Sequence, residues 1–347
     1  MFNYIRAISE QNNLKEYTIG ITGGSGYLGS SLAKRLCGSF DVTLLDIKEI
    51  KEQLPENVSF QNCDIREYNQ VKNAVENVDL VIHTAIIQIP VISEQKKLGY
   101  EVNILGTQNV CKAVNEASRP KGLILSGSWH TIGERELKGV IDEEFGFRPD
   151  KVEDRARLYA LAKIAQESIV RFYDEMTDKV FGIIRMGTVL GEGMPEKTAA
   201  NMFINKGLMG KPITPYKHSM YRPMLYVDIE DVCSGYKKFA EKILKHEVDI
   251  DTNSLAHIFN IYYPKPITIL KLAEIIREAI IMFSKNKIKP EIEIVDVKQP
   301  NLFENRDSRQ ISVDIFKALN YLQLGKIKTP KESIEEMIRK KLKSEKE

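Results

Sequence analysis

The chain of 347 residues carries 50 Lys and Arg against 48 Asp and Glu, a formal net charge of +2. The two signs are interspersed, so the sequence lacks the footprint of a nucleic-acid binder, and the one basic run, Arg339-Lys340-Lys341-Leu342-Lys343, suits a solvated helix end. No apolar run approaches the ~20 residues that span a bilayer, so no membrane partner is expected, and the length suits one large α/β domain with a smaller lobe. Met1 to Lys15 lacks the apolar core of a signal peptide and reads as a short leading helix or arm, residues 1–16. Cys37, Cys63, Cys111 and Cys233 are widely spaced, with no CxxC and no nearby His. That pattern predicts reduced thiols, a cytoplasmic location and no metal site.

Tyr17-Thr18-Ile19-Gly20-Ile21-Thr22 reads as a short buried strand and Ser30 to Cys37 as a helix, with Gly23-Gly24-Ser25-Gly26-Tyr27-Leu28-Gly29 between them. In that context each glycine has a use. Gly23 lets the chain turn sharply, Gly26 lets the backbone approach a pyrophosphate, and Gly29 lets helix pack on strand. A diphosphate would then lie among free N–H groups at a helix N-terminus. The spacing is GxxGxxG where GxGxxG is commoner. A second strand, Asp41 to Asp46, ends in a carboxylate placed to accept hydrogen bonds from an adenosine ribose and to repel a 2′-phosphate. NAD is therefore expected over NADP, with Lys48 the one nearby group that works the other way.

Strand-like and helix-like segments continue to alternate. Val58 to Gln61 is followed by a polar helix over 69–76, then Leu80 to His83, a long helix over 97–117, Gly122 to Ser126, a helix over 157–175, and Val180 to Arg185. Near-continuous apolar strands alternating with helices predict a doubly wound, Rossmann-type parallel sheet covered on both faces. Ligands gather at the strand C-terminal ends, where Asp46, Asp64, Thr84, Ser126 and Arg185 fall. Beyond Met186, Gly191, Gly193, Pro195, Pro212, Pro215 and Pro223 punctuate the pattern. The expected organisation is a dinucleotide-binding domain over 17–186 and a smaller substrate-binding lobe over 187–347, some of whose segments return to the first domain.

Tyr159 and Lys163 stand four apart on a predicted helix, hence on one face, so the ammonium can stabilise a phenolate beside a bound nicotinamide. Three further segments accompany them: Val102-Asn103-Ile104-Leu105-Gly106-Thr107-Gln108-Asn109, Arg222-Pro223-Met224-Leu225-Tyr226-Val227-Asp228, and Phe259-Asn260-Ile261. With the glycine motif and YxxxK in the same order, the chain over roughly 17–335 resembles the extended short-chain dehydrogenase/reductase family, which contains nucleotide-sugar epimerases and dehydratases.

The resemblance implies an NAD-dependent enzyme in which Tyr159 relays a proton, Lys163 tunes it and Ser128 positions the reacting hydroxyl. Ser128 is preferred to Ser126 because Ser126 falls at the end of the preceding strand. The cofactor contacts it implies are Gly23, Gly26, Tyr27, Leu28, Gly29, Asp46, Asp64, Ile65, Thr84, Ala85, Asn103, Ser126, Tyr159 and Lys163. Substrate contacts fall on Ser128, His130, Arg185 and Arg222. Arg222 matches the arginine that holds a nucleotide diphosphate, a task suited to a guanidinium fork. The matched region departs from the family at Trp129 and His130, where dehydratases place an acid, and at Arg306-Asp307-Ser308-Arg309, where the usual pattern is R-x-G-D. His83 reads as packing near the cofactor.

The implied activity is a nucleotide-sugar epimerase acting at C4 through a transient ketone. The alternatives are a dehydrogenase with net turnover on a sugar, uronate or other secondary alcohol, and a non-catalytic dinucleotide sensor on the same fold. Family members pair two helices across a dimer axis, so a homodimer is expected through Val102, Leu105, Val110 and Val114 on one helix and Ile164, Ile169 and Phe172 on the next.

Overall fold

A computed structural model describes residues 13–50, 53–248 and 255–344; most of the leading arm lies outside them. In chain order the first elements are β1 (Thr18–Thr22), α1 (Tyr27–Leu36), β2 (Asp41–Asp46), β3 (Val58–Asn62), α2 (Tyr68–Val75), β4 (Leu80–His83), α3 (Thr107–Glu116) and β5 (Gly122–Ser128). After them come α4 (Arg157–Met176), β6 (Val180–Met186) and, later, β7 (Ile258–Ile261). These strands form one seven-stranded sheet in the order β7-β6-β5-β4-β1-β2-β3. Pairings from β3 across to β5 are parallel. The order reverses between β1 and β4, and that switch point opens the crevice in which such sheets bind ligands.

Every residue of β4, β5 and β6 is buried, the signature of strands covered on both faces. One core cluster joins Val71 and Val75 of α2, Val110 and Val114 of α3, Leu123 and Leu125 of β5, Val170 of α4, and Phe181 and Ile183 of β6. This corrects the expected dimer face. Val110 and Val114 are fully buried against the sheet, because apolar side chains one turn apart on α3 point to the same interior. The two helices instead leave Leu105, Leu158, Leu161, Phe172 and Met176 exposed.

The predicted helix over 97–117 is helical but not uniform. It runs as Lys96–Tyr100, a π-helical stretch Glu101–Gly106, and then α3. Within the wide turn the buried Asn103 grips the backbone of Ile87 from both ends, its Oδ1 accepting from the amide at 2.7 Å and its Nδ2 donating to the carbonyl at 3.0 Å. A π-bulge of this kind re-aims one side chain without ending the helix.

Two compact units emerge. The first runs to Thr131 and takes in Asp154–Arg185 and Cys233–Phe259; the second comprises Ile132–Glu153, Met186–Val232 and the chain from Asn260 onward. In the second unit, Thr188–Leu190 pairs in parallel with Tyr226–Asp228, and Gly139–Ile141 with Ile311–Val313. Its helices Ala199–Leu208 and Ile269–Phe283 meet at Gly207, where a Cβ would lie 2.5 Å from Ile280 Cδ1.

Gly122 sits where β5 passes β6, and a Cβ there would lie 2.1 Å from the Val180 carbonyl oxygen, which is backbone and cannot swing away. Gly122→Ala is expected to lower stability by roughly 1–3 kcal/mol, as overpacking does elsewhere. A shift in the urea midpoint at unchanged slope is the measurement that checks it.

Candidate active site

The glycine turn behaves as its spacing predicts. Gly23 has φ +69°, and a Cβ there would lie 2.6 Å from the backbone of Ala85, so only glycine fits. Gly29 is equally confined, with the Gly23 carbonyl 2.5 Å from where its Cβ would be. No side chain caps α1. Thr84 steadies the opposite wall through its hydroxyl, which donates to the Thr22 carbonyl at 2.7 Å.

At the end of β2, Asp46 Oδ2 accepts from the Ser25 amide at 3.1 Å and Oδ1 from the Lys48 amide at 3.1 Å. The carboxylate is thus fixed beside the glycine turn before any ligand arrives. Asp64, just beyond β3, is gripped by Arg66, whose Nε lies 3.0 Å from Oδ1, and that bond holds its carboxyl below the usual range. Ile65 is buried, with its side chain 2.6 Å from the Cβ position of Gly106. A cradle that a Cβ would fill, an uncapped helix start and a carboxylate at the second strand end fit NAD. Gly23, Gly26, Tyr27, Leu28, Gly29 and Asp46 would hold its diphosphate and ribose.

Across the sheet, β5 and α4 bring together the residues of the predicted proton relay. Burial raises the Tyr159 phenol pKa, and a hydrogen bond from the Ser128 hydroxyl pulls it partway back. Lys163 lies one turn on, 3% exposed, with Nζ donating to the Ser126 carbonyl at 2.6 Å and 6.0 Å from the Tyr159 ring centroid. Burial pushes its ammonium down to about 7. Ser128 and Ser126 therefore divide the work by atom type, one offering a hydroxyl to Tyr159 and the other a carbonyl to Lys163. His130 Nδ1 lies 3.3 Å from Ser128 Oγ, and its ring meets Tyr159 edge-on at 5.4 Å and Trp129 at 4.7 Å.

Beneath this cluster runs a buried polar network that sequence reasoning missed. Thr107 Oγ1 donates to the Asn103 carbonyl at 2.8 Å and accepts from Gln166 Nε2 at 2.8 Å. With its only proton committed, it can meet His83 Nε2, at 2.9 Å, solely as acceptor. His83 therefore carries its proton on Nε2, and Nδ1 accepts from the Thr22 hydroxyl at 2.6 Å. Burial first, and Lys163 second, push its pKa down to about 3. His83 is a neutral strut between β1, β4 and α3. The signals available were Thr107 inside the N-x-x-G-T segment and Gln166 one turn after Lys163.

Two arginines expected at the substrate have other partners here. Arg185 is 2% exposed and forks onto Glu167, with Nη2 to Oε1 at 2.6 Å and Nε to Oε2 at 3.1 Å. In the second unit, Arg222 Nη1 lies 2.8 Å from Glu153 Oε1 and 3.4 Å from Glu134 Oε1, while Glu134 Oε2 accepts from the Glu153 amide at 2.9 Å. A buried guanidinium between two carboxylates is an internal ion cluster.

Glycine cradle, strand-end carboxylate and Tyr/Lys/Ser cluster define a protein of the extended short-chain dehydrogenase/reductase class. The chain belongs to the NAD dependent epimerase/dehydratase family, whose profile matches residues 19–254. It is 26% identical over 269 residues to UDP-glucose 4-epimerase of Rickettsia bellii, covering 70% of this chain and 71% of that protein. To short-chain dehydrogenase/reductase family 42E member 1 of Danio rerio it is 36% identical over 140 residues, 40% of this chain and only 36% of the relative. The match to that protein's Xenopus laevis counterpart also covers about a third of the relative, 32%. In fold, the chain resembles the UDP-glucose 4-epimerase of Thermotoga maritima with UDP-glucose (TM-score 0.74, 19% identity, 94% of this chain, 99% of that one). The UDP-glucose 4-epimerase of Thermus thermophilus in complex with NAD is similar (TM-score 0.73, 21% identity, 92% and 97%).

Lys163 gives a prediction with a definite sign. Its folded pKa of about 7 lies below the ordinary value of 10.5, so between those limits the unfolded chain binds more protons and stability rises with pH. Relative to Lys163→Met, the ligand-free protein is expected to gain stability from pH 7 toward 10, at up to about 1.4 kcal/mol per pH unit. Urea titrations of both proteins at several pH values measure that difference, and parallel curves count against a buried, depressed ammonium.

Proposed function

We propose that this protein oxidises and reduces a secondary carbinol, with Tyr159 as the acid–base group, Lys163 as its electrostatic support and Ser128 as the donor that positions the reacting oxygen. The observation that carries the reading is the contact of Tyr159 with Ser128, one turn from the buried Lys163. NAD, when bound, supplies the hydride acceptor and a positive charge beside the phenol. A phenol whose pKa is raised is otherwise a poor base. Lys163 lowers the cost of the phenolate, and Ser128 holds the carbinol oxygen within reach of Tyr159, so that the O–H proton moves as the C–H bond breaks. Asp46 supports NAD over NADP, since a carboxylate fixed at that strand end repels a 2′-phosphate.

The finer reading is a nucleotide-sugar 4-epimerase, in which the ketone is reduced again from its other face before release. The similarity to UDP-glucose 4-epimerases supports it. A second reading, net oxidation of a sugar, uronate or other secondary alcohol, is favoured by one observation. The guanidinium that would grip a diphosphate already lies between Glu134 and Glu153. A panel of UDP-, dTDP- and GDP-sugars alongside free sugars and uronates, followed for isomer formation and for absorbance of reduced NAD, separates the two. Isomer without reduced NAD supports epimerisation, and accumulating reduced NAD supports net oxidation. On whichever substrate turns over, Tyr159→Phe is expected to lower kcat by roughly 10²- to 10⁴-fold with NAD binding and circular dichroism unchanged. Wild-type turnover in that variant would sink the assignment.

We further infer a homodimer through the exposed stripe Leu158, Leu161, Phe172 and Met176 of α4, together with Leu105. The α4 positions recur at intervals of three or four residues apart from the middle of the stripe, and so share one helix face. Light scattering at micromolar concentration is expected to give twice the chain mass, falling to the monomer for the double variant Leu161→Asp, Phe172→Asp. A wild-type monomer would remove the proposal.

A further inference from the structure

On a helix, residues four apart are neighbours on one face, and a lysine followed by a glutamate at that spacing can pair. This chain uses the spacing repeatedly. Lys112 and Glu116 lie 3.9 Å apart, Lys237 and Glu241 3.7 Å, and Lys331 and Glu335 3.7 Å. Lys163 and Glu167 have the same spacing on α4, and both are buried, where opposite charges attract more strongly than at the surface. They do not pair. Lys163 Nζ goes to the Ser126 carbonyl at 2.6 Å, and both oxygens of Glu167 go to Arg185.

Arg185 is placed for this by the sheet. Its strand β6 lies beside β5, and its Cα stands 3.2 Å from where a Cβ on Gly127 would be, level with the residue between Ser126 and Ser128. The guanidinium is planar and always charged, and its fork takes the carboxylate two-handed, Nη2 to Oε1 at 2.6 Å and Nε to Oε2 at 3.1 Å. A pair closed in this way presents little net charge to its surroundings. The consequence shows at Lys163, whose ammonium burial pushes down to about 7 with no carboxylate to hold it up. The other titratable groups around it supply no anion either. His83 of β4, pushed down to about 3, is neutral; Tyr159 is a phenol raised by burial; and Tyr236 of the helix Ile229–Leu244, beside Ser126, is a phenol raised further still.

We propose that Arg185 is a positioning residue that acts through Glu167: by taking both carboxylate oxygens it denies Lys163 a permanent counter-ion and leaves the ammonium available to the phenolate that forms on Tyr159 during turnover. An unopposed Glu167 would pair with Lys163 in the resting protein, and little of the lysine's field would then reach Tyr159. The arginine that the sequence pattern places at the substrate thus serves the acid–base group from one strand away. This role rests on Tyr159 being the acid–base group and Lys163 its electrostatic support.

The test needs no substrate. The full chain, labelled with carbon-13 at lysine Cε, is titrated by NMR, with Lys163 assigned from Lys163→Met and the fold of each variant checked by circular dichroism. Arg185→Met frees the carboxylate and is expected to move the Lys163 ionisation up by about 1 pH unit or more, as an opposite charge within reach does. Glu167→Gln leaves the guanidinium bare and is expected to move it down. The double variant Arg185→Met, Glu167→Gln is expected to return close to the wild type, and Arg185→Lys, which keeps the charge, to stay close to it. Loosened packing cannot give that pattern, since water entering around Lys163 moves the ionisation up in every variant. Two single variants that shift in the same direction overturn the proposal, as does an Arg185→Met protein in which Lys163 is unmoved. Where Arg185→Met does not fold, Glu167→Gln decides alone, a fall supporting the proposal and a rise or no change overturning it. Failure of the Tyr159 assignment shows separately, as undiminished turnover in Tyr159→Phe.

Discussion

The site depends on one interaction above the others, the hydrogen bond from the buried ammonium of Lys163 to the carbonyl of Ser126. It ties α4 to β5 across 37 positions of sequence and joins a charged donor to a strand carbonyl, a bond worth about 1.5–3 kcal/mol net. Because Tyr159 lies one turn before Lys163 and Ser128 two residues beyond Ser126, fixing this bond places Tyr159 beside Ser128. The cost is a depressed lysine pKa. A cation held in an apolar interior is uncomfortable without a counter-charge, and that discomfort makes it responsive to a phenolate forming one turn away.

The His83 network plays the complementary part. Thr22, His83, Thr107, Asn103 and Gln166 come from β1, β4, the segment leading into α3, and α4, and every hydrogen bond among them lies in the interior. A buried network of this kind specifies one arrangement of its elements, since a shift in any member strands a donor or acceptor at a cost of about 1–3 kcal/mol. Here it sets the height of α4 against the sheet. Burial keeps His83 neutral, so that no second positive charge competes with Lys163 in the same interior.

The buried arginines show how a shared scaffold becomes particular. Arg185 with Glu167, and Arg222 with Glu134 and Glu153, are charges removed from water and therefore paired, an arrangement that specifies geometry more than it adds stability. For Arg222 the pairing bears on chemistry. A guanidinium already facing two carboxylates presents a weaker field to any anion than a free one.

Much of this protein was legible in its sequence, and the reason is local. The glycine turn needs positive φ and close backbone approach, Asp46 needs only to end a strand, and Tyr159 and Lys163 need only one helical turn between them; each constraint acts over a few residues and leaves its mark there. The apolar runs likewise dictated a parallel sheet, because a strand covered on both faces has no polar side to show. What the tertiary structure alone decided concerns partners distant in the chain. Glu134 and Glu153 beside Arg222, Glu167 beside Arg185, Gln166 on Thr107, and the turning of Val110 and Val114 inward all depend on which elements meet. An ionic or polar group carries the same letter whether its partner is water, ligand or another side chain, and only the packing of helices on the sheet chooses among the three.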